Sequence, residues 1–284
     1  MYISTEINSY RKIGDNREII KLLKESGFTA YDFSMFSGGL ADEILYADDY
    51  AEKAREFRRY VDGIGLPCNQ THAPFATARK GNDEYNKAMF PKIVRAIEVS
   101  GILGAKVCVV HPCNDYSPEE NAALYKKFEP YARKAGVKIG VENMWNWQSG
   151  SAHATAAACS HHDNFRAHLD LLPKDVFVAC LDIGHAEMQG LETSAPKMIE
   201  TLNERLAAIH LHDNDLAHDS HALPFNYNID FTAVIDALKK VGYQGDITLE
   251  ADRFASKVPL ELMSAAATYA AAVANYFKTQ VENF

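Results

Sequence analysis

The sequence has no run of basic residues, no long apolar run and no paired-cysteine motif, and each absence removes a class of function. Lys and Arg number 29 against 38 Asp and Glu, a net charge of −9 with a pI near 5.7. Without a local basic patch to offset that total, a phosphate-backbone partner is disfavoured. No stretch approaches the roughly 18 apolar residues that a membrane-spanning helix needs. The opening Met1-Tyr2-Ile3-Ser4-Thr5-Glu6 lacks the basic and apolar regions of a signal peptide. The five cysteines show no CxxC spacing, which argues against a zinc ribbon or a thioredoxin-like motif. Four of them lie in or beside apolar runs such as Lys106-Val107-Cys108-Val109-Val110, where a free thiol packs as a small hydrophobe. A reduced, cytoplasmic protein is expected. Neither GxGxxG after an early strand nor a Walker A loop is present, so the usual phosphate signatures of a doubly wound nucleotide-binding sheet are missing.

What is present is a regular alternation. Short β-rich runs fall at about 2–7, 29–33, 69–72, 107–111, 138–142, 178–182, 208–212 and 247–250, with amphipathic helical patterns between them. The helical patterns cover about 16–26, 51–63, 85–101, 118–135, 164–172, 195–203, 231–241 and 260–276. The repeated switch from period two to period 3.6 marks β-α units on a parallel sheet. Ser117-Pro118-Glu119-Glu120 supplies a capping residue, a proline at the first helical position and acids in the first turn. Asp230 is a second N-cap candidate, and Gly136, Gly242 and Gly245 end helices or turn the chain. Eight such units without a linker predict an α/β protein with a single (β/α)8 TIM barrel over residues 1–284.

The third to eighth strands each finish with a side chain suited to metal binding: His72, His111, Glu142, Asp182, His210 and Glu250. Residues two positions earlier share their face of the strand, and these are Gln70, Val109, Gly140, Cys180, Ala208 and Thr248. The pattern describes a barrel interior whose C-terminal mouth, where barrel enzymes keep their active sites, is ringed by imidazoles and carboxylates. Several carboxylates buried together without a cation repel one another and pay desolvation, so a divalent metal is implied. Mixed oxygen and imidazole donors suit Mn²⁺ or Zn²⁺, with Co²⁺, Fe²⁺ or Mg²⁺ as further candidates, better than Ca²⁺. Cysteine is absent from the ring, which argues against a structural zinc.

Val141-Glu142-Asn143, Leu181-Asp182-Ile183-Gly184-His185, His210-Leu211-His212-Asp213, Asp219-Ser220-His221 and Thr248-Leu249-Glu250 resemble the motifs of the xylose-isomerase-like TIM-barrel superfamily. That superfamily holds sugar isomerases and epimerases, inosose dehydratases, hydroxypyruvate isomerases and the endonuclease IV family. The resemblance to its sugar-active branches implies one divalent metal on Glu142, Asp182, His210 and Glu250. It also implies that the two glutamates act as acid and base on opposite faces of the sugar, and that His185 binds the substrate. The endonuclease IV branch implies three zinc ions on nine positions: His72, His111, Glu142, Asp182, His185, His210, Asp219, His221 and Glu250. Two features depart from the pattern. The loop after His221 runs Pro224-Phe225-Asn226-Tyr227-Asn228-Ile229-Asp230 where the family has Pro-Gly-x-Gly, which should reshape one wall of the pocket. His221 also stands where free-ketose 3-epimerases tend to carry arginine, which points away from that subgroup.

The expected activity is a metal-dependent sugar or sugar-derivative isomerase or epimerase, with Glu142 and Glu250 catalytic. His72, His111, His185, Asp219, His221, Trp145 and Arg253 are the candidates for substrate binding. The alternative is an endonuclease IV-like multi-zinc phosphodiesterase. A small sugar is the expected partner, with no nucleic acid and no membrane, and a homo-oligomer is left open.

Overall fold

A computed structural model describes residues 1–36 and 44–283. Eight parallel strands lie side by side in a nearly closed barrel: β1 (Ile3–Thr5), β2 (Tyr31–Ser34), β3 (Cys68–His72), β4 (Val107–Val110), β5 (Lys138–Glu142), β6 (Phe177–Asp182), β7 (Leu206–Leu211) and β8 (Ile247–Leu249). Every neighbouring pair from β2 round to β8 and on to β1 is parallel. The remaining seam between β1 and β2 is joined by a parallel bridge from Glu6 to Asp32 and by the Thr29 and Ala30 N–H groups, which donate to the Ile3 carbonyl. All eight expected strands are present, and the fold is a single TIM barrel.

The helices form the outer layer. α1 (Asn16–Glu25), α2 (Tyr50–Ile64) and α3 (Asp83–Leu103) follow the first three strands. The expected helix over 118–135 is two helices, α4 (Pro118–Lys126) and α5 (Glu129–Ala135). Pro130 is the reason: it lacks an N–H, and its ring excludes the carbonyl four residues back, so a helix can start at Pro130 but not run through it. Ser117 caps α4 in a reciprocal capping box with Glu120, as the sequence suggested. α6 (His162–Asp170), the short α7 (Ile183–Ala186) and α8 (Ala195–Leu202) follow. α9 (Phe231–Lys240) is capped by Asp230, and α10 (Asp252–Lys257) and α11 (Met263–Glu282) complete the chain.

Two cores result. The large one lies between strands and helices. The smaller one fills the barrel with Val107, Val109, Val178, Cys180 and Ala208. These interior residues are compact because facing strands leave little room: a Cβ at Gly140 would press on Val107 and Cys180. The polar ring rests on this dry layer. All five cysteines are free and buried, and among the described residues no helix is long and apolar enough to cross a membrane.

Candidate metal centre and active site

The register of β5 to β8 sets the heights of the ring residues. Asp182 at the end of β6 is the cross-strand partner of His210 in β7, and His210 in turn pairs with Thr248, two residues before Glu250. Donor atoms of Glu142, Asp182, His210 and Glu250 all lie within 4.8 Å of one another, and all four residues are buried. His210 Nδ1 is 3.1 Å from Glu142 Oε1, 2.8 Å from Glu250 Oε2 and 4.0 Å from Asp182 Oδ2. One ring nitrogen carries at most one proton, so it cannot satisfy three carboxylates. Asp182 Oδ2 is left buried with no hydrogen-bond partner. Opposite ligands of an ion bound at about 2.1 Å stand about 4.2 Å apart, so the quartet fits a single divalent cation with small adjustments.

Asn143 fixes this arrangement. Its side-chain amide donates to the Asp182 carbonyl at 2.9 Å and accepts from the Asp182 N–H at 2.7 Å, clamping the ends of β5 and β6. Asp182 also caps α7 by accepting from the His185 N–H at 2.7 Å.

Two histidines sit on the other side of Glu142. Its Oε2 is 2.8 Å from His111 Nε2 and 3.3 Å from His72 Nε2, and the two imidazole nitrogens are 2.8 Å apart. A second group of four donors, His185, His212, Asp219 and His221, also converges within 4.8 Å. His185 Nδ1 donates to the Asn143 carbonyl at 2.9 Å and His221 Nδ1 to the Glu250 carbonyl at 3.0 Å. Each ring therefore turns Nε2 toward Asp219 Oδ2, at 3.3 and 3.1 Å. A neutral ring would present a lone pair to a carboxylate there, so a proton or a metal must occupy the gap. Backbone carbonyls holding the far nitrogen are how metal-ligating histidines are oriented. His221 has a left-handed backbone, φ 41°, a conformation disfavoured for a side-chain-bearing residue. The bridge between Asp213 and Ala222 and the bond to the Glu250 carbonyl hold it there. Gly184 makes room for the group, because any side chain at 184 would overlap the His212 ring.

The electrostatics follow from these contacts. Burial opposes ionisation of Glu142, but His210 and His111 beside it outweigh burial and hold its carboxyl well below the usual range. Glu250 is lowered in the same way, chiefly by His210. Burial would discharge His185 and His221, yet the Asp182 and Asp219 carboxylates raise His185 well above the ordinary value and Asp219 raises His221 to about 10.

Above the ring lies a cavity of about 420 Å³. Of the residues proposed from sequence, Glu142, Glu250, His111, His185, Asp219, His221 and Trp145 line it. His72 is buried beneath it against Phe36, with ring centroids 4.5 Å apart. Asp182 and His210 are fully buried and are not among its lining residues. Arg253 is not brought to the cavity: it lines a separate outer groove with Tyr227 and Phe254, because α10 starts directly after Glu250 and carries residue 253 outward. The aromatic loop does not form a cavity wall either. Phe225 stacks on Phe277 of α11 at 5.4 Å, and the cavity's aromatic wall is Phe36, Phe75 and Trp145 instead.

Four contributors carry no strand-end signal in the six-residue pattern. His212 lies two residues after His210 and so shares its face of the strand, a signal that was available. Asn143 stood inside a quoted motif without a role. Glu6 lines the cavity and Asp32 lies buried in β2, where it accepts from Gln70 Nε2 at 2.7 Å. Glu6 is pushed up to about 7 by burial and by the neighbouring charges of Glu250, Asp32 and Asp252.

Comparison with known proteins agrees with this fold. A curated L-ribulose 3-epimerase of Mesorhizobium japonicum is 26% identical over 257 residues, covering 85% of this chain and 76% of that protein. An uncharacterized protein of Methanocaldococcus jannaschii is 28% identical over 192 residues, 63% of this chain and 62% of its own length. Among solved structures, a D-tagatose 3-epimerase-like protein superposes with a TM-score of 0.76 at 20% identity, covering 99% of this chain and 98% of that one. An L-ribulose 3-epimerase superposes with a TM-score of 0.72 at 18% identity, covering 99% of this chain and 94% of that one. The model of the xylose isomerase-like TIM barrel family matches residues 20–277, and the chain belongs to that family.

Proposed function

We propose that the protein is a divalent-metal-dependent isomerase or epimerase of a sugar or sugar derivative, with Glu142 and Glu250 as its catalytic carboxylates. The observation that carries this reading is the pair itself: Glu142 Oε1 and Glu250 Oε2 flank one nitrogen of His210 at 3.1 and 2.8 Å, at the base of a cavity with aromatic and acidic walls. They arrive from strands three positions apart around the ring, so they approach from different directions. A substrate carbon held between them meets a carboxylate on each face. One glutamate removes the proton and the other returns it; delivery to the opposite face gives an epimer, and delivery to the neighbouring carbon gives an isomer.

Glu142, Asp182, His210 and Glu250 would hold the metal, with Mn²⁺ or Zn²⁺ best suited to the donors. Once bound, it would polarise the substrate oxygen next to the reacting C–H and acidify that proton. His111, His185, Asp219 and His221 are assigned to the substrate's oxygens, and His72 to orienting His111 and Glu142. Trp145, with Phe36 and Phe75, offers flat rings to the C–H faces of a sugar. The epimerase names of the relatives support the same substrate class. The five free thiols support a reducing compartment, the cytoplasm, for it.

One observation favours the alternative, a multi-zinc phosphodiesterase. The nine candidate ligands fall into three groups: His72 and His111 on Glu142, the buried quartet, and the cluster around Asp219. Against a polyanionic substrate, no Lys or Arg is among the described residues lining the cavity. Incubating the metal-loaded protein in D₂O with a panel of ketoses, and separately with an abasic duplex, tests both. Deuterium exchange into a sugar without strand cleavage is expected. Cleavage without exchange would replace the first reading by the second.

A further inference from the structure

The side of the mouth formed by β1 and β2 has a different chemistry from the metal side. Glu6, one residue past β1, is only 5% exposed and borders the cavity. Its charged neighbours are Glu250, Asp32 and Asp252, all acids, and its polar neighbour is the Ser34 hydroxyl. Among the described residues no ion pair reaches it, and its side chain is not in the quartet or in the outer cluster. Asp252 beside it pairs with His221 at 3.3 Å.

A carboxyl group that is buried, faces a cavity and has a single hydroxyl, Ser34, as its side-chain donor is costly unless a ligand supplies further hydrogen-bond donors. Hydroxyl and amino groups do so. A phosphate or carboxylate offers acceptors and negative charge only, and needs arginine or lysine opposite it. Resting on the sugar isomerase reading, we propose that Glu6 is a specificity-determining residue. It receives donor groups of the substrate on the β1 side of the cavity and rejects an anionic group placed there.

The test compares a ketose, its terminal phosphate esters and its terminal amino-deoxy derivative on the metal-loaded protein. Calorimetry at pH 8.5, where Glu6 is ionised, with the corresponding alditol, alditol phosphates and amino-alditol gives a readout that needs no turnover. The neutral and amino ligands are expected to bind at least about tenfold more tightly than either phosphate. In Glu6→Gln, affinity for the neutral ligand should fall about tenfold or more, the scale of one charge-assisted hydrogen bond. Affinity for the phosphates should not fall with it, and Glu6→Asp should restore part of the discrimination. Metal content and melting temperature report whether each variant is intact, and the wild-type order stands as a test by itself if one is not. A wild-type preference for a phosphate, no binding of any ligand, or an unchanged ratio in an intact Glu6→Gln protein overturns the proposal. Binding in the expected order without turnover of any sugar leaves Glu6 as proposed and overturns the catalytic reading.

Discussion

The buried quartet and the outer cluster each gather four donors within the same span, yet their charge balance is opposite. The quartet has three carboxylates and one imidazole; the outer cluster has three imidazoles and one carboxylate. Protons alone can neutralise the outer cluster, since one or two protonated rings beside Asp219 balance it. They cannot neutralise the quartet without protonating carboxylates that His210 and His111 hold in the ionised range. Their construction differs in the same sense. Three of the quartet sit at the ends of barrel strands and the fourth directly after β8, fixed by sheet register. The outer donors His185, Asp219 and His221 come from α7 and the loop after β7, and the side chains of Asp219 and His221 remain 18% and 17% exposed. On the proposed reading the quartet needs a cation, whereas protons, a further cation or the substrate can satisfy the outer cluster.

The largest effect is expected from breaking the quartet. Asp182→Ala removes a side chain whose hydrogen bonds are to the His185 N–H and to His212 Nε2 and leaves the apolar residues in place, so the fold should survive. Elemental analysis after dialysis should show loss of the tight metal, and turnover should vanish. Wild-type metal content in this variant would remove the distinction between the two groups. Glu142→Gln and Glu250→Gln should each slow turnover by about 100-fold or more, the contribution of a general acid or base, with some loss of metal affinity besides. Rates near wild type in both would refute the two-carboxylate mechanism. Asp219→Asn should retain the quartet's metal and lose about 10- to 100-fold in activity, the range for residues that support a metal site. A loss as complete as that of Asp182→Ala would show that the groups act as one site.

Much of this contrast was legible in the sequence. Strand-end donors are readable because a parallel barrel places every strand end on one rim, so six chemistries at a spacing of one β-α unit identify the rim without coordinates. What the linear pattern hid has particular causes. β1 reads as running to Ile7, which puts Glu6 inside a strand; in the structure β1 stops at Thr5 and a 3-10 segment begins at Ile7, so Glu6 is the rim residue. Asp32 lies between Tyr31 and Phe33 and reads as one polar residue in an apolar strand. α10 is six residues long, too short to show a period, and its rotation is what separates Arg253 from Glu250. Conversely, Pro130 announced the break between α4 and α5 in plain sight.

The smallest effect probes the protons of the outer cluster, which His221→Gln separates from those on His210 and Glu6, two groups also raised in the fold. In metal-stripped protein, Asp219 raises His221 to about 10 and His185 rises in the same direction, while an unfolded histidine titrates near 6.5. The folded state therefore binds more protons than the unfolded state between those values. The stabilisation is fully present below pH 6.5 and is lost as the pH rises through 10, so stability must decline across the interval. The measurement belongs between pH 6.5 and 7.5. There Asp219, held far below its usual value by the two histidines, is ionised in both states, and unfolded thiols have not begun to lose protons in earnest. Urea melts of the stripped protein should show midpoints falling with pH over this range, and His221→Gln should flatten the fall. Zn²⁺ should abolish or reverse it, because a metal replaces the protons and binds better as they leave. An equal fall in stripped wild-type protein and in His221→Gln would mean that His221 carries no extra proton, and the assignment of an alternating cluster would fail.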